Sequence, residues 1–138
     1  EIQNKLGTRA KIGLLATTGT VQTGIYGDKA KAMGLPMFVP DDVHQERVMA
    51  AIYGPQGAKA GYTNGICRED LISAAEYLVK THGCNCLILG CTELPLILDE
   101  SDDFEVAGSR VIVVDPTAAL ARKVVKTAED AYAATGIR

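Results

Sequence analysis

The chain has 138 residues, a length that supports one layered unit around one core. Apolar residues make up 47% of it and charged residues 22%, the ordinary composition of a globular domain. The net charge of −3 excludes a dominantly basic phosphate-binding face, so nucleic acid is not an expected partner. No apolar run is long enough to span a bilayer and no signal-peptide pattern opens the sequence; the expectation is a cytoplasmic protein without membrane contact.

In chain order, residues 1–10 are polar and without periodicity and are assigned to a linker. Lys11–Ala16 is a short apolar run that suits a buried parallel strand, ending in the turn Thr17-Thr18-Gly19-Thr20. A helix is predicted from about Val21 to Met33, stopped by Gly34, then a second strand over Pro36–Val39. Asp41 or Asp42 caps the next helix, which carries Val43, Val48, Ala51 and Ile52 as far as Tyr53. Gly54–Gly65 is a long glycine-rich loop, the kind that is functional or mobile in a compact domain.

Arg68–Thr81 places Leu71, Ile72, Ala75, Leu78 and Val79 at amphipathic helical spacing, and Gly83 closes it. Cys86–Leu89 is the third strand, followed by the turn Gly90–Pro95 and a short helix over Leu94–Leu98. Arg110–Val114 is the fourth strand, and a last helix runs from about Ala118 to Ala133. This alternation implies an α/β fold: a parallel sheet of about four strands flanked by helices on both faces.

Ligands of open parallel sheets sit beyond the carboxyl ends of the strands. Two predicted turns there carry polar or reactive groups, Thr17–Thr20 and Cys91–Glu93. The N-terminus of a following helix favours thiolate at Cys91, whereas the charge of Glu93 opposes it. Of the other cysteines, Cys84 and Cys86 read as small hydrophobes and Cys67 as a helix-start residue. Their spacing matches no common zinc pattern, so no metal is expected. His44 and His82 read as surface or capping residues.

Gly90-Cys91-Thr92-Glu93-Leu94-Pro95 resembles the second signature of the aspartate/glutamate/hydantoin racemase family. Leu14–Thr20 resembles the strand and turn that open the second domain of its aspartate-racemase branch, and Ile52-Tyr53 and Val114-Asp115-Pro116-Thr117 fall in the expected order. The resemblance covers roughly Lys11 to Ala128. It implies a racemase of a small acidic amino acid that uses no cofactor, pyridoxal phosphate included. Two cysteines on opposite faces of the substrate would remove and return the α-proton, with Cys91 as one of them. Thr92 would hold the substrate carboxylate or amino group, and Glu93 would tune the thiol or the side-chain pocket. Thr17 and Thr18 would donate to carboxylate oxygens, and Lys59 would offer a charge to an acidic side chain. Turn capping for the two threonines and a solvated lysine are the ordinary alternatives.

Full members of that family have two α/β domains, the first with a Cys-Asn-Thr type motif that this sequence lacks. The resemblance therefore implies that residues 11–110 are the second domain. Residues 111–138 are then a C-terminal strand and helix that would pack on the first domain, and the chain by itself is expected to be inactive. The apolar stripe of the last helix, with Leu120 and Val124, makes a homo-oligomer the expected assembly. Alternative readings are another proton-transfer enzyme of the superfamily (a hydantoin racemase, maleate isomerase or decarboxylase) or a non-catalytic α/β ligand-binding module. The Thr17–Thr20 turn has one glycine and matches neither a dinucleotide fingerprint nor a phosphate loop.

Overall fold

The computed structural model describes residues 1–137. Among them a five-stranded sheet has the order β2-β1-β3-β5-β4, from β1 (Ile12–Leu15), β2 (Met37–Phe38), β3 (Cys86–Leu89), β4 (Ser101–Val106) and β5 (Ser109–Val114). The first three strands and β5 are parallel; β4 pairs antiparallel with β5 at the edge. The parallel strands β1 and β3 are buried along their whole length, which is why they read as unbroken apolar runs. The sheet is thus α/β as expected, with one strand more than the sequence predicts and that strand antiparallel.

The helices divide between the two faces because side chains alternate along each strand. On one face α4 (Asp42–Tyr53) and α5 (Ile66–His82) pack Val48, Ile52, Leu71 and Leu78 onto Leu15, Leu87, Leu89 and Val113. α4 starts where Asp41 accepts from the backbone N–H of His44 at 2.9 Å, and α5 ends at Gly83 in the left-handed conformation. On the other face lie α2 (Thr18–Thr23), α3 (Ile25–Ala32), α1 (Ile2–Leu6) and α6 (Pro116–Ala134), around Ile12, Leu14, Ile88, Ile112 and Val114.

Three local expectations are corrected. The single helix predicted from Val21 to Met33 is two helices starting at Thr18, because Gly24 sits at φ 71°, a value that interrupts the α-helix. Residues 2–9 are a short helix and a 3₁₀ turn rather than extended linker; Ile2 and Leu6, four apart, pack on the sheet. The helix predicted over Leu94–Leu98 is one 3₁₀ turn, Leu94–Leu96.

α6 is capped by Asp115, which accepts from the Thr117 N–H at 2.9 Å, and is held to the body by Arg122. The guanidinium reaches both Glu1 and Glu100 at 2.7–3.0 Å. No residue of this helix is buried, and Leu120, Val124, Val125 and Tyr132 are all more than half exposed. No helix among the described residues is long and apolar enough to cross a membrane.

Candidate active site

The sheet order places the candidate turns. From β1 the chain crosses to β2 on one side, then back past β1 to β3 on the other, so the crevice between β1 and β3 lies at the switch point of the topology. Leu15 pairs with Leu89, and the Gly90 N–H donates to the Leu15 carbonyl at 2.7 Å, so the turns after the two strands leave side by side. Position 90 is tightly packed: a Cβ there would lie 2.9 Å from Leu14 Cδ1 and 3.0 Å from Ala16 Cβ, so any larger residue would displace its neighbours. Asp115 leaves the same edge of the sheet from β5, beside β3.

Cys91 stands at the carboxyl end of β3, half-buried against the larger core, whereas Cys67, Cys84 and Cys86 are buried. Its Sγ donates to Glu93 Oε2 at 2.8 Å; the same oxygen accepts from Thr92 Oγ1 at 3.0 Å. The other oxygen, Oε1, pairs with Lys59 Nζ at 2.8 Å. Lys59 comes from a 3₁₀ turn, Ala58–Ala60, within the loop after α4, and its ammonium lies 5.4 Å from the Tyr53 ring centroid. Four sequence-predicted residues, Lys59, Cys91, Thr92 and Glu93, therefore form one hydrogen-bonded group.

The electrostatics follow from that group. Burial, then the hydrogen bond to Glu93, push the Cys91 thiol above its ordinary range. The helix dipole expected to favour thiolate is absent, because a three-residue 3₁₀ turn sums too few peptide dipoles. Burial and the Glu93 hydrogen bond both favour the thiol form of Cys91 over the thiolate. Glu93 is the counterpart: the Cys91 thiol, Lys59 and Thr92 all donate to it and hold its carboxyl down to about 2. Lys59 is pushed up by the same pairing. Burial lifts Cys84 to about 11 and Cys86 to about 12, in keeping with their reading as packing residues.

The threonine turn is arranged differently. Thr17 Oγ1 accepts from the Thr20 N–H at 3.2 Å and bonds Thr20 Oγ1 at 3.0 Å, so it is occupied in capping α2. Thr18 Oγ1 accepts from Gln45 Nε2 at 3.3 Å, which leaves its own proton free to donate. Gln45 also donates to the Ala16 carbonyl at 2.9 Å and so ties the turn to α4. Neither Gln45 nor Met49, whose Sδ accepts from the Thr18 N–H at 3.3 Å, is singled out by sequence reasoning, since each is one polar or flexible residue on a helix with no distinctive spacing. Tyr26 of α3 is another such residue: burial raises its phenol, and the charges of Asp115 and Cys91 add to the effect.

A cavity of about 740 Å³ lies on the opposite face of the sheet, between α1, α3 and α6, and Cys91 does not line it. Its walls include Ile12, Met37, Ile88 and Val114, with Lys123 and Lys126 at α6.

An α/β domain with a partly exposed thiol at the topological switch point belongs to the broad class of folds that bind ligands at the carboxyl edge of a parallel sheet. Comparison with known proteins narrows the class. Residues 3–124 match the Asp/Glu/hydantoin racemase family, and the chain belongs to that family. An uncharacterised protein of Pectobacterium carotovorum is 38% identical over 122 residues, covering 88% of this chain and 75% of the relative. A glutamate racemase of Desulforudis audaxviator is 30% identical over 86% of this chain and 40% of its own length. Among solved structures, the Picrophilus torridus aspartate racemase superposes with TM-score 0.62 at 29% identity, over 87% of this chain and 46% of the other. An aspartate racemase homologue of Pyrococcus horikoshii gives 0.70 at 27%, over 86% and 48%. The chain thus spans less than half the length of each named racemase and each solved structure among these.

Proposed function

We propose that this chain carries one half of the acid–base machinery of a cofactor-independent racemase of a small acidic amino acid, with Cys91 as its proton-transferring group. The observation that carries the reading is the thiol itself: partly exposed, at the switch point, and hydrogen-bonded to a carboxylate that a lysine neutralises. Racemisation needs a second group, because one acid–base residue returns a proton only to the face from which it took it. Cys67, Cys84 and Cys86 are buried and do not supply it. Thr18, with its free hydroxyl proton, and Thr92 are suited to the substrate's α-carboxylate or amino group, and Lys59 to a side-chain carboxylate; Thr17 shapes the turn. The four unpaired cysteines fit a cytoplasmic setting.

The test is incubation of this chain with L- and D-aspartate and glutamate in deuterated water. No inversion and no α-deuteration is the expected result; appreciable α-deuteration would show that the site does not depend on a second half. We further propose that the exposed apolar stripe of α6 associates with a second copy of the chain. Sedimentation is expected to shift with concentration, and Val124→Glu to abolish the shift. A monomer at all concentrations would overturn it.

A further inference from the structure

Helix α6 lies over the sheet with its polarity reversed. A helix that closes a core turns its apolar stripe inward and its charges to water. In α6 the side chains that line the cavity against the sheet are Ala119, Arg122, Lys123 and Lys126, one stripe at i, i+3, i+4, i+7. Leu120, Val124 and Val125 stand out in solvent instead. The floor below is aliphatic: Ile12, Met37, Ile88 and Val114, one from each of the four parallel strands. A cationic roof therefore covers an apolar floor.

Only one of those cations is matched within the fold. Arg122 is taken up by Glu1 and Glu100. Lys126 has a 3.3 Å pairing with Asp130 in which both side chains are largely exposed, a weak contact. Lys123, and Lys29 on the α3 wall, pair with no carboxylate among the described residues. The space between roof and floor is about 740 Å³, the size of a small-molecule site and far beyond the voids that packing leaves inside a domain. Its lining runs from Ile12 and Met37, paired at one level of the sheet, to Ile88 and Val114, paired two residues further on, and then to Pro116. At the rise of a strand that is a trough of roughly 13 Å along the sheet.

We propose that this trough is a binding site for a medium-chain aliphatic carboxylate. The alkyl chain lies along Ile12, Met37, Ile88 and Val114 and supplies the apolar surface that α6 does not. The carboxylate is held by the amines of Lys123, Lys126 and Lys29, which a neutral or cationic head group would leave unmatched. Cys91 does not line the cavity, so the site stands or falls independently of the acid–base reading.

The experiment is titration calorimetry of the chain with sodium decanoate below its micellar concentration. Octanoate and decyltrimethylammonium are the comparison ligands. Decanoate is expected to bind one to one and about tenfold more tightly than octanoate, since each buried methylene contributes roughly a threefold gain. Decyltrimethylammonium is expected to bind at least tenfold more weakly than decanoate. Ala119→Trp fills the trough and abolishes binding. Lys123→Glu with Lys126→Glu leaves the trough open and reverses the order of the anionic and cationic ligands, and circular dichroism checks that both variants fold. Val124→Glu, on the outward stripe, leaves binding unchanged. The proposal is overturned by no binding of decanoate, by equal affinity for the cationic ligand, or by an unaltered order in the double glutamate variant. Loss of binding in Val124→Glu would place the ligand on the outer stripe and overturns it too. So does retention on phosphatidylglycerol vesicles without uptake of free decanoate, which would make α6 a membrane-contact helix.

Discussion

If Cys91 transfers the α-proton as proposed, replacing it by serine in a two-domain protein that carries this domain is expected to slow α-proton exchange about 10²- to 10⁴-fold, the range that a positioned acid–base group contributes. Serine preserves the size of the side chain and its hydrogen bond to Glu93, so the fold and the threonine turn remain as they are. What is lost is a group whose proton leaves in an accessible pH range. KM is expected to change less than about threefold, because an interaction made only in the transition state affects kcat rather than ground-state binding. The pH profile carries a second signature. Burial and Glu93 hold the Cys91 thiol above its ordinary range, so the direction of reaction that uses Cys91 as base gains rate as pH rises through the alkaline region. Glu93→Gln removes the negative acceptor, favours thiolate and moves that limb to lower pH. Steady-state kinetics of both enantiomers against pH measure this, and a serine variant within about tenfold of wild type would remove Cys91 from the chemistry.

The parts of this architecture legible in the sequence are those where burial is complete or a cap is present. Strands β1 and β3 are fully buried, and β5 is buried from Val111 to Val114, so each leaves an apolar run. α4 and α5 carry an aspartate cap and a left-handed glycine stop, respectively. β4 is the opposite case. In Ser101–Val106 only Val106 is buried, as befits an edge strand with one face in water, so no apolar pattern marks it. Its hairpin turns through Ala107 at φ 53° and Gly108 at φ 74°; the alanine occupies a position where asparagine, aspartate or glycine would have signalled the turn. At the candidate site, the cysteine turn is legible as a turn after a buried strand because strand, glycine and cysteine are consecutive. The pairing of Lys59 with Glu93 depends on the path of a loop through space, and nothing in the spacing of those two residues encodes it. The upward shift of the Cys91 thiol comes from burial at the end of β3 and from the hydrogen bond to Glu93, and the first of these is a packing outcome that the sequence does not display.

The largest effect on stability is expected where α5 meets the sheet. Leu78 is fully buried, and α5 lies so close to β1 that a Cβ at Gly13 would stand 2.9 Å from Leu78 Cδ1 and from Leu87 Cδ2. Leu78→Ala removes three buried carbons and leaves a cavity between layers, at a cost of about 3 kcal/mol and a melting temperature lower by roughly 10 °C. Gly13→Ala alone forces the two leucines from their rotamers and costs about 1–2 kcal/mol, the overpacking penalty. Combined, the two changes should not add. With Cδ1 of Leu78 gone, the new methyl at position 13 enters space that the truncation vacated, although Leu78 Cβ, 3.3 Å away, and Leu87 remain to be accommodated. The double variant is therefore expected to be more stable than the sum of the single losses predicts by about 1 kcal/mol, within the range for residues in contact. Urea unfolding of the four proteins in the cycle measures this coupling. Strict additivity would mean that α5 and β1 can move apart independently, and the close packing that aligns the carboxyl ends of β1 and β3 would then not be held by this contact.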